Sequence, residues 1–335
     1  MKKFVILAVI TALITVLYNN CTKKGVLPFE NLNGQRVSRC NFDIPLVCDE
    51  NIPHYPTLQI FNDVYLCLES EYEAYNDSFE LAHQNLTDDQ FDDYADSISF
   101  DEEATLNAWE SGKGYTSLRT ELNAQELIWI NSGMNVNSDP YAQEIGDMIF
   151  LTMINSNGDV RIGNDLYHFN TDGTHFVVYG ADCEVFKDAK NDPNYNHDNL
   201  ERIIFFPPDT CERHETENGV RDWKSDQNKR FFWQVRFNSY ISNSKAEACM
   251  RNFRKKNGNW KATKSKTLVH IEGEMWNNEC QEKSAFAYKQ KIKRRKKVEV
   301  RSWPPYFGKI RSKDVLGTFE PINDDNNRID TSIVW

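Results

Sequence analysis

The stretch Asn155-Ser-Asn-Gly158-Asp-Val160-Arg-Ile162-Gly163-Asn-Asp165-Leu-Tyr167-His168-Phe169-Asn-Thr-Asp172-Gly173-Thr-His175-Phe-Val-Val-Tyr179 decides the fold class. Three turn signals divide it: Asn157-Gly158, Gly163-Asn164-Asp165 and Asp172-Gly173. Between them Val160 and Ile162 share one strand face, and Tyr167 and Phe169 share another. A period of two marks a half-buried sheet, so this is a meander of short strands. It is a folding signal and carries no chemistry.

Upstream the period changes to that of helices. Tyr55–Phe61 reads as a short strand. Asn62 stands where a helix cap belongs, and Val64, Leu68 and Tyr72 follow at four-residue spacing. Thr87-Asp-Asp-Gln90 has capping-box form, with Phe91, Tyr94 and Ala95 expected inward and an acidic outer face expected in solvent. Trp109 closes a helical piece, and Glu121–Ile130 reads as another helix. A last helix is expected from Asp139-Pro140-Tyr141 to Met153, with an Ala142, Ile145, Met148 and Ile149 stripe turned to the core.

Downstream, Phe231–Phe237 and Thr267–Gly273 read as strands, Ser244–Arg254 as a helix or a strand, and Asn257-Gly258-Asn259 as a turn. The predicted fold is therefore α+β: an N-terminal helical part with a small antiparallel sheet, followed by a basic antiparallel β domain. The expected division is a signal peptide over 1–20, a tether over 21–39 and an α+β domain over 40–182. A connecting region over 183–220, the basic β domain over 221–313 and an acidic tail over 314–335 complete it. Ile333-Val-Trp335 is expected to dock as a last strand.

Charge divides the chain sharply. Residues 22–220 hold 37 acidic and 11 basic residues, whereas residues 221–313 hold 25 basic and 8 acidic. Such a split arises when two parts attract each other, when a basic face is solvated, or when it is kept for an anionic partner. The solvated face is the expectation. The densest run, Lys289–Lys297, has two readings. Its lysines guard a strand edge against aggregation. Otherwise Lys293, Arg294, Arg295, Lys296 and Lys297, with Trp303 as an apolar wedge, bind an anionic envelope surface.

Met1-Lys-Lys3 followed by the apolar run Phe4–Tyr18 has the form of an export signal and is short for a membrane span. Cys21 follows that run and is the lipidation candidate, although Tyr18 and Asn20 stand where the lipid-attachment pattern places Leu and a small residue. The alternatives are ordinary signal cleavage and an uncleaved anchor. Eight cysteines in an exported chain read as disulfides. Cys40 with Cys48, Cys183 with Cys211 and Cys249 with Cys280 are each close enough in sequence to pair locally. No Cys-x-x-Cys pair supports a zinc site.

Trp109-Glu110, Tyr115-Thr-Ser-Leu118, Asp139-Pro-Tyr141 and Ile162-Gly-Asn-Asp-Leu-Tyr167, in that order, resemble uncharacterised exported lipoproteins of the Bacteroidota, a bacterial family of unknown function. The resemblance spans roughly Cys40 to Phe176. It implies an envelope protein and carries over no catalytic residue. The acidic residues that follow the lipidated cysteine in surface-displayed members are absent, since Thr22, Lys23 and Lys24 stand there.

Catalytic patterns are missing. There is no Gly-x-Ser-x-Gly elbow, no phosphate-binding glycine loop and no His-Glu-x-x-His. His168 and His175 across a turn, with Asp172, suggest a metal, but ordinary strand histidines are expected. Asp192–Asp198 lacks the Gly and Glu of a calcium loop and reads as a polar surface loop. No catalytic residue, metal or cofactor is assigned. The expected function is a non-enzymatic cell-envelope protein, periplasmic, secreted or lipid-anchored, that binds a partner protein or glycan. The alternatives are a periplasmic hydrolase using paired carboxylates, and a binder of anionic lipid through the basic domain. Export argues against a nucleic-acid partner.

Overall fold

The computed structural model describes residues 40–49, 51–141, 147–169, 175–203, 216–222, 226–239, 244–276, 283–301, 311–322 and 328–334. The expected signal peptide and tether, Cys21, Cys211, Cys280, Trp303 and the turn at Asp172-Gly173 lie outside them.

The chain first forms a short hairpin, β1 (Leu46–Val47) and β2 (Ile52–Tyr55), and turns into helix α1 (Leu58–Ala82). The helix begins at Thr57 rather than Asn62. The Thr57 hydroxyl accepts from the Ile60 N–H at 3.1 Å, so Leu58–Phe61 is a first helical turn and not the expected strand. Phe61, Val64, Leu68 and Tyr72 then fall on one buried face. α2 (Asp88–Ser97) opens with the predicted capping box between Thr87 and Gln90. Phe91 and Ala95 are buried, but Tyr94 is 39 % exposed. α3 (Ala104–Ser111) and α4 (Leu118–Asn131) follow, and α5 (Met148–Thr152) is a short helix capped by the Asp147 carboxylate. Tyr141 sits in a turn rather than in the first helical turn expected there.

The meander is present. β3 (Asp159–Ile162), β4 (Asp165–Phe169) and β5 (His175–Val178) pair antiparallel in turn. After α6 (Cys183–Asn191), β6 (Leu200–Ile203) completes a six-stranded sheet in the order β1-β2-β3-β4-β5-β6. The sheet is mixed, not purely antiparallel as expected: β2 runs parallel to β3, with Tyr55 opposite Ile162. The chain leaves β2 through α1–α5 and returns in the same direction, a crossover that makes parallel neighbours. Helices cover both faces. Tyr55, Val160 and Phe169 pack with Val64, Leu68, Leu106 and Trp109 on one side. Ile52, Leu166, Phe176 and Val178 pack with Val185, Phe186 and Ala189 on the other.

Two disulfides fasten this layer. Cys40 joins Cys67 of α1, and Cys48 joins Cys183 at the start of α6. The local pairings Cys40–Cys48 and Cys183–Cys211 are thereby corrected, because the fold brings residues 27 and 135 positions apart to a Cα separation of 5.8 Å. Cys249 is in neither bridge and is buried.

The rest of the described chain is mainly antiparallel strand: β7 (Thr216–Asp222), β8 (Lys229–Ser239), β9 (Ser244–Lys256), β10 (Asn259–Ala262), β11 (Ser265–Trp276), β12 (Lys283–Arg295), β13 (Lys297–Arg301), β14 (Arg311–Pro321) and β15 (Ile329–Val334). Ser244–Arg254 is strand because Ala248 and Met250 alternate with Arg251 and Phe253 across its two faces. One sheet holds β10-β9-β8-β7, with β13 also on β9; the other runs β12-β11-β14-β15. The segment expected as a loose acidic tail is therefore largely β14 and β15. Phe231, Val235, Met250, Val269, Ile271, Val298 and Phe319 fill the space between the sheets. Gly317 lets them close, since a Cβ there would lie 2.2 Å from Val235. Two strands bend from one sheet into the other, β10 into β11 and β12 into β13, each within two residues.

Gly158 offers a direct check of the meander. Its φ is +82°, and a Cβ would stand 2.0 Å from the Phe169 carbonyl oxygen. Gly158→Ala is expected to cost at least about 1–3 kcal/mol, read as a lower urea midpoint. An unchanged midpoint would mean that Phe169 does not close over this turn.

Candidate functional site

The acidic face of α1 and α2 is not left to solvent alone, although Asp89, Asp93 and Asp96 remain exposed. It lies on the basic strands. Lys293 donates to both Asp77 carboxylate oxygens at 2.6 Å. Lys291 pairs with Glu73, and Arg295 with Asp77 and Glu73. The Arg294 Nε donates to Asp88 at 2.8 Å. Along α2, Arg254 bonds Asp93 at 2.6 Å and Asp89 at 3.1 Å, Lys229 meets Asp89 at 2.8 Å, and Lys261 pairs with Asp96. The split in charge along the sequence is thus spent largely within the molecule.

The same helices serve the sheet corners. Asp92 accepts the Lys264 N–H at 3.0 Å, and Asp88 the Lys266 N–H at 3.0 Å. Glu80 accepts the Arg294 N–H at 3.2 Å, and Glu102 the Lys296 N–H at 3.3 Å. These are amides that the ladders leave over where strands change sheets, and a buried amide needs an acceptor. Charged acceptors make the stronger bonds. Asp88, Asp92 and Glu102 are all buried as a result.

An apolar contact completes the joint. Trp129, Ile130 and Met134 from the end of α4 pack on Phe232 and Phe253. Arg251 passes through this patch, its guanidinium 5.2 Å from the Trp129 ring and 5.4 Å from Tyr141. It donates to Glu126 at 2.6 Å and to Asp139. Burial opposes the charge of Arg251, but Asp139 and Glu126 outweigh it and hold the pKa above its ordinary value.

Beside this lock opens a small cleft of about 50 Å³. Glu102, Glu103, Asn123, Glu126, Tyr141 and Arg251 are among its walls, with Phe253 and Lys296. Asn123 donates to Glu103 at 2.7 Å and accepts from the Tyr141 hydroxyl. Glu103 also takes a bond from Arg119. Burial raises the Glu102 pKa against the pull of Lys264, Lys296 and Arg295. The walls thus combine donors, acceptors and ring faces.

Of the sequence-derived candidates, Lys293, Arg294, Arg295 and Lys296 meet the carboxylates just described. Lys297 bonds Glu299 at 2.6 Å and stands over the Tyr141 ring at 4.6 Å. Cys40, Cys48 and Cys183 are in disulfides. His168 and His175 do not share a face: the register puts His168 opposite Phe176 and His175 opposite Phe169. His168 instead bonds the buried Asp159 at 2.6 Å, which also takes Lys190 at 2.8 Å. Among the described residues no cluster is suited to a metal. Glu102, Asn123, Glu126, Tyr141 and Arg251 had no spacing signal, because the cleft draws them from four separate stretches of chain.

No family model matches the chain, and no curated protein does. One solved structure similar to it is that of a DUF4848 family protein from Bacteroides thetaiotaomicron, at 12 % identity, with 87 % of this chain and 99 % of that chain covered and a TM-score of 0.18. A score that low carries no argument about fold, site or activity.

The joint is testable by substitution and by pH. Arg251→Met leaves Glu126 and Asp139 without their cation and is expected to cost about 3–5 kcal/mol in urea unfolding; a loss under about 1 kcal/mol would show a solvated, minor pair. For pH, Asp77 and Asp96 are held low because hydrogen bonds from Lys293 and Arg295, and from Lys261, outweigh burial. Hydrogen bonds from Lys256 and Arg254 hold Asp93 low. Carboxyls held low give stability that is present above their unfolded pKa and lost as pH falls through the folded one. Glu102, held high, gives stability below its unfolded pKa that is lost as pH rises. The lowered groups outnumber it, so stability is expected to fall below about pH 4. A urea midpoint that rises on acidification would contradict this.

Proposed function

We propose that this chain is an exported, non-enzymatic protein of the bacterial cell envelope that binds a small polar ligand, a glycan or the polar end of a partner, in the cleft between its helices and its β-sandwich. The observation that carries it is the state of the cleft side chains. Glu103, Glu126 and Arg251 are each engaged by a protein partner, which makes a preorganised recognition surface. The two disulfides support an oxidising compartment. Among the described residues no helix is long and apolar enough to cross a membrane. Export, and anchorage through a lipid on Cys21, rest on the N-terminal sequence. The basic run speaks less for an anionic lipid surface, because Lys293, Arg294 and Arg295 already hold carboxylates.

A second reading has one observation behind it. Glu102, a carboxyl raised by burial at an open cleft beside Glu103, has the character of a general acid. It would make the protein a carboxylate-dependent hydrolase. Turnover of a polysaccharide that disappears in Glu102→Gln would establish this reading and remove the first.

Mass spectrometry of the native protein tests compartment and cross-links together. The expected material begins at or near Cys21 and contains the Cys40–Cys67 and Cys48–Cys183 peptides. Reduction is expected to lower stability by about 2–5 kcal/mol, since one bridge closes a long loop. Native material with its leader intact and its thiols reduced would overturn the export reading.

A further inference from the structure

The two disulfides differ in access, and the difference divides their roles. Cys40 is 1 % exposed in the core that α1 covers, with Cys67 half-buried against it. Cys183 is exposed, at the first position of α6, and Cys48 is half-buried in the turn after β1. Thiol–disulfide exchange requires a thiolate to reach one of the two sulfurs, so access sets its rate. Of the two bridges, the second presents an exposed cysteine. Both of its anchors also sit in costly backbone. Cys48 has φ +55°, and Ala181, two residues before Cys183, has φ +57°. The left-handed region disfavours residues with a Cβ, and such positions persist only where their surroundings impose them.

What this bridge holds is otherwise lightly attached. β1 meets β2 through two residue pairs, Leu46 with Pro53 and Val47 with Ile52, and both of its residues are half-buried. Among the described strands none lies on its other side, since it is the first in the sheet. The flanking pieces have attachments of their own. Cys40 is bonded to Cys67, the Lys113 ammonium donates to the Phe42 carbonyl, and Ile44 is buried in the core. α6 packs Val185, Phe186 and Ala189 on the sheet, and β2 keeps its pairing with β3. Opening the bridge therefore frees β1 and leaves the rest of the sheet standing.

We infer that Cys48–Cys183 is a redox latch on the edge of the six-stranded sheet. A protein dithiol of the Cys-x-x-Cys kind opens it while Cys40–Cys67 stays closed, and β1 then leaves β2. One thiolate of the reductant attacks the Cys183 sulfur; the S–S bond breaks, and Cys48 departs as a thiolate that takes up a proton. The second thiol of the reductant attacks the mixed disulfide and releases Cys183 as a thiol. Two electrons and two protons pass to the bridge, and the reductant ends as a disulfide. The latch does not depend on ligand binding in the cleft.

The test is limited reduction of the mature full-length protein by dithiothreitol without denaturant. Samples are quenched with iodoacetamide for peptide mass spectrometry, and hydrogen exchange is measured on the same material. Cys48 and Cys183 are expected to be alkylated at least about tenfold faster than Cys40 and Cys67, with circular dichroism unchanged. Exchange is expected to rise over β1 and at His54, whose N–H bonds the Pro45 carbonyl at 2.8 Å, and to stay as it was over β3, β4 and β5. The double variant Cys48→Ser, Cys183→Ser removes the bridge without reductant and is expected to show the same local rise. Equal rates at the two bridges, or Cys40 and Cys67 reacting first, would overturn the latch. Selective reduction with exchange at β1 unchanged would do the same, since the bridge would then be no more than a brace. Circular dichroism lost in step with alkylation, or a double variant that does not fold, would also sink it, because the release would be global.

Discussion

Side-chain carboxylates stand in for missing strands in this protein. Where β10 bends into β11 and β12 into β13, backbone amides are left without a ladder partner. Glu80, Asp88, Asp92 and Glu102 accept four of them. A sandwich whose sheets share bent strands must satisfy its corners somehow, because a buried amide left unpaired costs about 1–3 kcal/mol. Here the acceptors belong to another part of the chain. The corners and the helices are therefore built for each other, and the position of α2 on the sandwich follows from that need.

Around these bonds the charges arrange themselves by burial. The ion pairs along Asp93 and Asp96 are partly exposed and individually small. Those at Arg251 and Arg295 are buried and need every partner they have. Charge alone would leave the joint loose, since desolvation offsets much of its attraction. The Trp129, Phe232 and Phe253 contact supplies the apolar area, and the ion pairs choose its register. The same joint leaves the cleft. Two curved surfaces docked along acidic helices do not close completely, and the unfilled space is lined by the ends of the docking residues. That is why Glu102 and Arg251 serve both the interface and the cleft walls.

The disulfides belong to a different part of the design. They lie in the six-stranded sheet and its helices. Cys48–Cys183 closes a loop of 135 residues and ties the first hairpin to α6 across the whole helical insertion. A parallel β2–β3 pair formed from residues so distant in sequence is a slow contact to make. A cross-link that holds the hairpin in place restricts the alternatives to that pairing.

Several features were legible in the residues themselves. The meander from Asp159 to Phe169, the capping box at Thr87 and the turn at Asn257-Gly258 are local: neighbours in sequence make the bonds, so spacing is enough. The strand character of Phe231–Phe237 and Thr267–Gly273 is local in the same way. The opposite charges of the two halves were also plain, but not their use. A solvated basic face was expected, and docking on α1 and α2 was found, because composition records charge and not where it points. The cysteine partners, the parallel strand pair and the strand β14 were misread for a common reason. Each depends on contacts between residues far apart in the chain. Local chemistry determined the elements of this protein; which carboxylate meets which amide, and hence where a cleft remains, was decided only when the helices came down on the sheet corners.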